Sequence, residues 1–130
     1  MILQTTLTLT AAAAIINIWL GMRIGRIRHA EKISHGDGGN PALIRRMRAQ
    51  SNFIENTPLV LILIAALELS GKGGQWLAIV GAIFMLGRVG HGIGMDSETS
   101  HPGRMIGTLT AMLTLIGLAV MAVLIALGKF

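Results

Sequence analysis

The sequence contains no cysteine and no tyrosine among its 130 residues. Without cysteine the chain has no disulfide, no thiolate metal site and no cysteine nucleophile, so any thiol chemistry requires a thiol supplied by a ligand. Charged residues are also scarce, at 13% against about 25% in an ordinary soluble domain. Hydrophobic residues make up 52% of the chain instead. This composition is typical of a membrane protein.

Aromatic residues are few, with two tryptophans and three phenylalanines, and they leave little surface on which nucleic-acid bases could stack. Seven of the eleven lysines and arginines lie between Arg23 and Arg48. Basic residues clustered beside apolar runs set the orientation of membrane helices. We therefore expect no nucleic-acid partner and attribute the net charge of +5 to membrane topology.

Four apolar segments divide the chain and predict helices at about residues 3–28, 42–69, 75–95 and 104–127, within one domain of residues 1–130. A spanning helix needs about 20 apolar residues. The first and fourth segments meet this length, and the second and third reach it by including polar residues that protein or headgroups can cover. The sequence therefore predicts an all-α, integral membrane four-helix bundle in contact with membrane lipid.

The position of the basic cluster predicts the orientation of this bundle. No basic residue precedes the first segment and the cluster follows it, which is the reverse of a cleavable signal peptide. The loop of about residues 23–45 is therefore expected in the cytoplasm. Both termini and the turn at residues 70–74 then face outward, while the loop at residues 96–103 returns to the cytoplasm.

The boundary between the first two helices is marked by HGDGGNP, residues 35–41. Its turn-forming residues and proline prevent the first helix from continuing into the second. Asn40 followed by Pro41 fits an N-cap with proline at the first helical position. The sequence therefore predicts a helix that starts near Pro41.

A polar stripe runs along the first half of the second helix. At 100° per residue Arg48, Asn52 and Glu55 share one face, and Arg48 lies about 10.5 Å from Glu55 along the axis. That separation is too long for one ion pair, and it suits an extended zwitterion with carboxylates at one end and an ammonium at the other. In the alternative interpretation, Arg48 reaches the headgroups and Glu55 pairs with an arginine of another helix.

The third helix ends with Arg88, His91 and Met95 on one face, surrounded by glycines. GHGIG lacks the strand and helix that a nucleotide-binding loop requires, so close helix packing explains these glycines better. His91 is read either as a hydrogen-bonded structural histidine or as a ligand contact. The four histidines have no paired spacing on a helix, so we expect no metal.

Arg104 opens the fourth helix after Pro102 and Gly103. A cation at a helix N-terminus is unfavourable by about 0.3–1 kcal/mol because it faces the positive end of the helix dipole. Either an anion compensates this charge, or Arg104 only helps to keep its loop on the cytoplasmic side.

The stretch RAQSNFIENTP, residues 48–58, resembles the signature of a known family. This is the family of membrane-associated proteins in eicosanoid and glutathione metabolism (MAPEG), which includes microsomal glutathione transferases, leukotriene C4 synthase and a non-catalytic lipid-presenting member. The matching residues are Arg48, Gln50, Asn52, Glu55 and Pro58. GDGG before the second helix is similar to a small bacterial branch, and GRVGH and the arginine that opens the fourth helix also match.

The resemblance implies a homotrimer of four-helix bundles that binds glutathione between adjacent subunits near the cytoplasmic face. In the family, the residues that match Arg48, Asn52 and Glu55 hold the glutathione peptide, and those that match Arg28 and Gln50 approach from the neighbouring subunit. On a helical wheel Gln50 lies about 200° from Arg48, which suits a site between subunits.

Arg104 matches the arginine that stabilises the glutathione thiolate in the family, so the resemblance makes it the catalytic residue. Asn56 and His91 stand roughly where well-known members have tyrosines, as does Met95. We expect Asn56 and His91 to contact glutathione, with His91 as a substitute hydrogen-bond donor. The lack of tyrosine changes the surroundings of the thiol and is the main departure from the family.

The implied role of Arg104 has a physical basis. A free thiol has a pKa near 8.5, so only a few per cent is ionised at neutral pH, and a nearby cation increases that fraction. A guanidinium does so without giving up its own proton. The thiolate would then attack a lipophilic electrophile dissolved in the bilayer.

The leading hypothesis is therefore a glutathione transferase of the bacterial inner membrane, with or without peroxidase activity, that uses glutathione as co-substrate. One alternative is a non-enzymatic membrane protein that binds glutathione or a lipid. A small multidrug exporter is a further alternative, but such proteins carry an acid in their first helix, and residues 3–22 contain none.

Overall fold

A computed structural model describes all 130 residues, and it contains four α-helices and no strand. The helices are α1 (Gln4–Glu31), α2 (Pro41–Leu69), α3 (Gln75–Gly94) and α4 (Pro102–Ala126). Each of them is long and apolar enough to cross a membrane. The predicted all-α four-helix architecture is confirmed.

Helix α1 extends beyond its predicted end at residue 28. It stops at Lys32, whose backbone is left-handed (φ 56°) and whose N–H donates to the carbonyl of Arg28. A left-handed residue after the last turn is a common helix end. Residues 29–31 have no preference for a structure other than helix. The helix therefore continues through them and ends at the turn-forming residues that follow.

Helices α2 and α4 both begin with a capped proline. Asn40 Oδ1 accepts from the Leu43 N–H at 3.0 Å, which confirms the predicted cap. His101 Nδ1 accepts from the Gly103 N–H at 3.0 Å, so α4 starts at Pro102, earlier than the predicted residue 104. Proline fits the first helical position because its missing N–H has no intrahelical acceptor there.

The second helix joins the first at the end of the bundle away from these caps. Glu68, at the last turn of α2, accepts hydrogen bonds from the backbone N–H groups of Thr5 at 3.0 Å and Thr6 at 2.8 Å. It also accepts from the Thr6 hydroxyl at 2.5 Å. The carboxylate therefore satisfies N–H groups at the start of α1, which have no partner within their own helix.

The core consists of apolar side chains from all four helices, and residues of every helix face it. The most enclosed include Leu20, Val60, Ile64, Phe84 and Leu118. Many large apolar side chains remain exposed on the outside of the bundle, which is expected where hydrocarbon replaces water as the surrounding medium.

Helices α3 and α4 approach each other through glycine. A Cβ at Gly107 would overlap the backbone carbonyl of Gly87 and the Cβ of His91, and one at Gly94 would overlap the backbone of Arg104. Only glycine permits these approaches. The close packing predicted from the glycines of the third helix is confirmed, and it fixes the start of α4 against the end of α3.

Candidate functional site

Four side chains join α1, α2 and α3 at the end of the bundle that carries the basic cluster. Asp96, just after α3, pairs with Arg23 of α1 and with Arg46 of α2, the latter at 3.1 Å from Nε to Oδ1. Arg46 also donates to the Arg23 carbonyl at 2.7 Å, and Arg23 donates to the Gly92 carbonyl at 2.8 Å and stacks over Trp19. This network aligns the three helix ends next to the polar stripe of α2.

The polar stripe lies on one continuous helix. Arg48 and Glu55 are exposed and Asn52 is half-buried. A hydrocarbon core of about 30 Å accommodates about 20 helical residues. If that span ends at Leu69, it begins near residue 49, so Arg48 lies at the boundary and Glu55 about 9 Å inside it.

Neither Arg48 nor Glu55 has an ionic partner in the chain, because both ion pairs of the structure are formed by Asp96. The structure thus gives no support to an internal partner for Glu55. Asn56, one turn after Asn52, donates from Nδ2 to the Asn52 carbonyl at 2.7 Å. The two charges of the stripe, the Arg48 guanidinium and the Glu55 carboxylate, therefore remain available to another molecule.

Arg88 is the most deeply buried charged residue, with 2% of its surface exposed. One terminal nitrogen donates to Asn52 Oδ1 of α2 and the other to the Gly107 carbonyl of α4. The guanidinium also lies over the aromatic ring of Phe84, with 5.5 Å between the guanidinium carbon and the ring centre. The remaining nitrogen, Nε, is buried without a hydrogen-bond partner. One guanidinium therefore joins three helices through neutral acceptors.

His91 follows Arg88 by one turn and is also buried, with 4% of its surface exposed. It packs where Gly107 leaves room on α4. No side-chain hydrogen bond of the structure involves its ring, so within the chain His91 is a packing residue beside Arg88 with unused ring nitrogens.

Arg104 is exposed on the first turn of α4, and its carbonyl accepts from the Thr108 hydroxyl at 2.9 Å. A cleft of about 420 Å³ surrounds it. Glu98 and His101 line the loop side of the cleft, and Met105 and Leu109 line the helix side. The guanidinium thus stands where polar loop and apolar helix meet.

A sequence profile of the MAPEG family matches residues 6–124. The chain belongs to the MAPEG family.

Curated relatives of this MAPEG protein include inner membrane protein YecN of Escherichia coli K12 and of Escherichia coli O6:H1. The chain is 27% identical to each over 79 residues, a match that covers 61% of this chain and 60% of the relative. The matched part is therefore less than two thirds of the length of those relatives. Together with the four helices, the relationship supports a multi-pass protein of the inner membrane.

The two residues that the MAPEG resemblance assigns to a neighbouring subunit make contacts within their own chain. Gln50 Nε2 lies 3.4 Å from Asn17 Oδ1 on α1. Arg28 donates to the Gly36 carbonyl at 2.7 Å and lies 3.8 Å from the Met47 sulfur. Neither forms a hydrogen bond with the polar stripe, so within one chain the structure does not bring them to it.

The contacts of Arg88 are the part of the site that sequence reasoning missed. The helical pattern placed Arg88 on a face with His91 but gave it no partner. A signal was available, because Arg88 is the only Lys, Arg, Asp or Glu in the whole of α3. A lone charge in such a helix requires a partner on another helix. The sequence does not say which one.

Proposed function

We propose that this chain is a membrane-bound glutathione transferase, with or without peroxidase activity, in which glutathione lies along Arg48, Asn52 and Glu55. The observation that carries the proposal is the polar stripe of α2, whose exposed charges Arg48 and Glu55 have no ionic partner within the chain, in a protein of the MAPEG family. The family includes glutathione transferases.

The stripe has the chemistry that glutathione requires. Glutathione is an extended zwitterion with a carboxylate at each end and an ammonium beside one of them. Arg48 can bind a carboxylate in a two-point geometry, and Glu55 can bind the ammonium about 10.5 Å further along the helix. Asn52 lies between these two charges and Asn56 lies beside Glu55, and both asparagines can supply hydrogen bonds.

A trimer is part of the proposal because the stripe is incomplete in one chain. Glu55 is exposed about 9 Å inside the expected hydrocarbon boundary, and a charge that faces lipid costs several kcal/mol. A second subunit that covers this face removes the cost. Arg28 and Gln50 of that subunit would then complete the site, and native mass spectrometry in a mild detergent should detect three chains.

Arg104 is the proposed catalytic residue. Its guanidinium would stabilise the glutathione thiolate and so lower the thiol pKa below about 8.5. The proposal is supported by the close contact between the start of α4 and the end of α3, which brings the backbone of Arg104 to the same end of the bundle as the stripe. His91 would contribute a ring nitrogen where other members of the family have a tyrosine.

The second substrate is proposed to be a lipophilic electrophile that enters from the bilayer. Beyond Arg104, α4 exposes a row of large apolar side chains at Met105, Leu109, Met112 and Ile116. An apolar molecule in the membrane can reach the guanidinium along this surface without crossing water. In the proposed orientation both termini face outward and the site lies near the cytoplasmic face, where glutathione is dissolved.

The test compares purified wild type with Arg104→Ala in a conjugation assay with glutathione and 1-chloro-2,4-dinitrobenzene. We expect the rate to fall at least about tenfold, which corresponds to one pKa unit of lost thiolate stabilisation. Calorimetry should show that the variant still binds glutathione. Arg26→Ala, which removes an exposed arginine of α1, is the matched control, and an unchanged rate in Arg104→Ala contradicts the catalytic role.

A second candidate is a non-enzymatic protein that binds glutathione or a lipid. The absence of tyrosine favours it, since the chain has no phenol to place beside the thiol. This candidate predicts saturable glutathione binding by calorimetry without any conjugation above the uncatalysed rate.

A further inference from the structure

The hydrogen bond between Arg88 and Asn52 determines which way the Asn52 amide is turned. The oxygen and nitrogen of an asparagine amide are usually assigned from their partners. Here the partner settles the assignment, because a guanidinium has only donors and no acceptor. The atom that faces Arg88 is therefore Oδ1.

The cost of burying Arg88 suggests that this contact has a use. Arg88 carries a charge within a helix that can span the membrane, and no carboxylate pairs with it. Its acceptors are the Asn52 amide and the Gly107 carbonyl, which are neutral. An apolar side chain at this position would avoid the loss of solvation. The arginine is therefore better explained by what it orients than by stability.

The other half of the Asn52 amide is free. With Oδ1 turned to Arg88, the two N–H bonds of Nδ2 are what Asn52 can offer elsewhere, and no atom of the chain accepts them. Asn52 is half-buried, between Arg48 and Glu55 on the stripe. The exposed order along α2 is therefore a cation, an N–H donor and a carboxylate.

We propose that Arg88 is a positioning residue that holds Asn52 so that its Nδ2 donates to an acceptor atom of glutathione, a peptide carbonyl or a carboxylate oxygen. The inference rests on the proposed function. It adds that Asn52 recognises oxygen and not an N–H of the peptide, and that this preference is set by a residue that does not touch the ligand.

The sharpest test is Asn52→Asp, measured as the glutathione Kd by calorimetry on the full chain in detergent. Aspartate has the same shape, can pair with Arg88 and offers no N–H donor. We expect glutathione affinity to fall about tenfold or more, since an acceptor of the ligand is left without its donor. The thermal midpoint should stay the same or rise. If Asn52 accepted from the ligand instead, aspartate would bind equally well or better.

Asn40→Asp is the matched control for the added negative charge. Asn40 caps α2 through its side-chain oxygen, and aspartate serves that role equally well. Its glutathione affinity should equal that of wild type. A loss of similar size in both variants would overturn the inference, because charge alone would then explain it.

A second variant, Arg88→Lys, tests the positioning role directly. Lysine keeps the charge but cannot reach two acceptors on different helices with a planar fork. The chain has only four asparagines, so selective ¹⁵N-asparagine labelling resolves the side-chain amide signals, and Asn52→Ala identifies one of them. We expect the Asn52 signal to shift and glutathione affinity to fall at least about threefold.

The outcomes separate this inference from the proposed function. If the wild type does not bind glutathione, both the proposed function and this inference are wrong. If the wild type binds it and both Asn52→Asp and Arg88→Lys bind within twofold of the wild-type affinity, only this inference is wrong. If Asn52→Asp does not fold, Arg88→Lys decides, and an Asn52 signal unchanged by that variant overturns the positioning role.

Discussion

Glu68 is a single carboxylate that joins two helices. It stands in the last turn of α2, where a negative charge is unfavourable for the dipole of its own helix, but it lies at the first turn of α1, where a negative charge is favourable. Its two oxygens accept three hydrogen bonds from Thr5 and Thr6. The residue acts as an N-cap supplied by a different helix.

Removal of this cap should destabilise the bundle without affecting the proposed glutathione chemistry. We expect Glu68→Ala to lower the free energy of unfolding by about 1 kcal/mol, as for other lost N-caps. Unfolding in mixed micelles followed by circular dichroism measures the change, and Glu68→Gln, which keeps one acceptor oxygen, should lose less. Equal stability of wild type and Glu68→Ala would show that the cap contributes nothing.

The contact between α3 and α4 depends on glycine at the positions where the helices meet. Gly107 has no room for a Cβ, because His91 and the Gly87 carbonyl occupy that space. Gly117, ten residues further along α4, has no atom near its own Cβ position. One helix therefore offers both a glycine that packing requires and one that packing does not.

These two glycines give a matched pair of substitutions. Gly107→Ala should push α4 away from α3, displace Arg104 and the carbonyl that Arg88 uses, and lower conjugation activity at least about tenfold, since shifts of about 1 Å can have such effects. Gly117→Ala should leave activity unchanged and raise stability by up to about 1 kcal/mol, because alanine is the better helix former. Activity that survives Gly107→Ala contradicts the close packing.

At the scale of the whole molecule, the two ends of the bundle differ in charge. The end with Asp96 carries most of the basic residues, whereas the end with Glu68 carries two lysines, Lys72 in the short loop after α2 and Lys129 after α4. A membrane protein keeps its arginine-rich loops in the cytoplasm. The Asp96 end is therefore expected inside the cell.

This orientation can be tested with single cysteines, because the chain has none of its own. We expect Ser70→Cys, in the turn after α2, to react with a membrane-impermeant maleimide on intact cells. Ser34→Cys, in the loop before α2, should react only after the membrane is permeabilised. Labelling of Ser34→Cys on intact cells would invert the topology and place the proposed site on the outer face.

Local signals predicted much of the fold. Apolar length predicted four helices, and Asn40 before Pro41 predicted the start of α2, because these signals act within a few residues. The contacts of Arg88 with Asn52 and Gly107 were not predictable, since they join residues far apart in the chain. Helical geometry predicted the stripe of Arg48, Asn52 and Glu55. The direction in which the Asn52 amide faces depends on a residue of α3 and cannot be predicted from the sequence of α2.

Because Arg88 has acceptors at two other positions, the residue types that can be tolerated at these three positions depend on one another. Arginine at position 88 needs a side-chain oxygen at position 52 and, at position 107, a residue small enough to bring its carbonyl close. An apolar residue at position 88 would release both constraints. Across homologous sequences, positions 52, 88 and 107 are therefore expected to covary as one unit, independently of the residues on the outer face of α4.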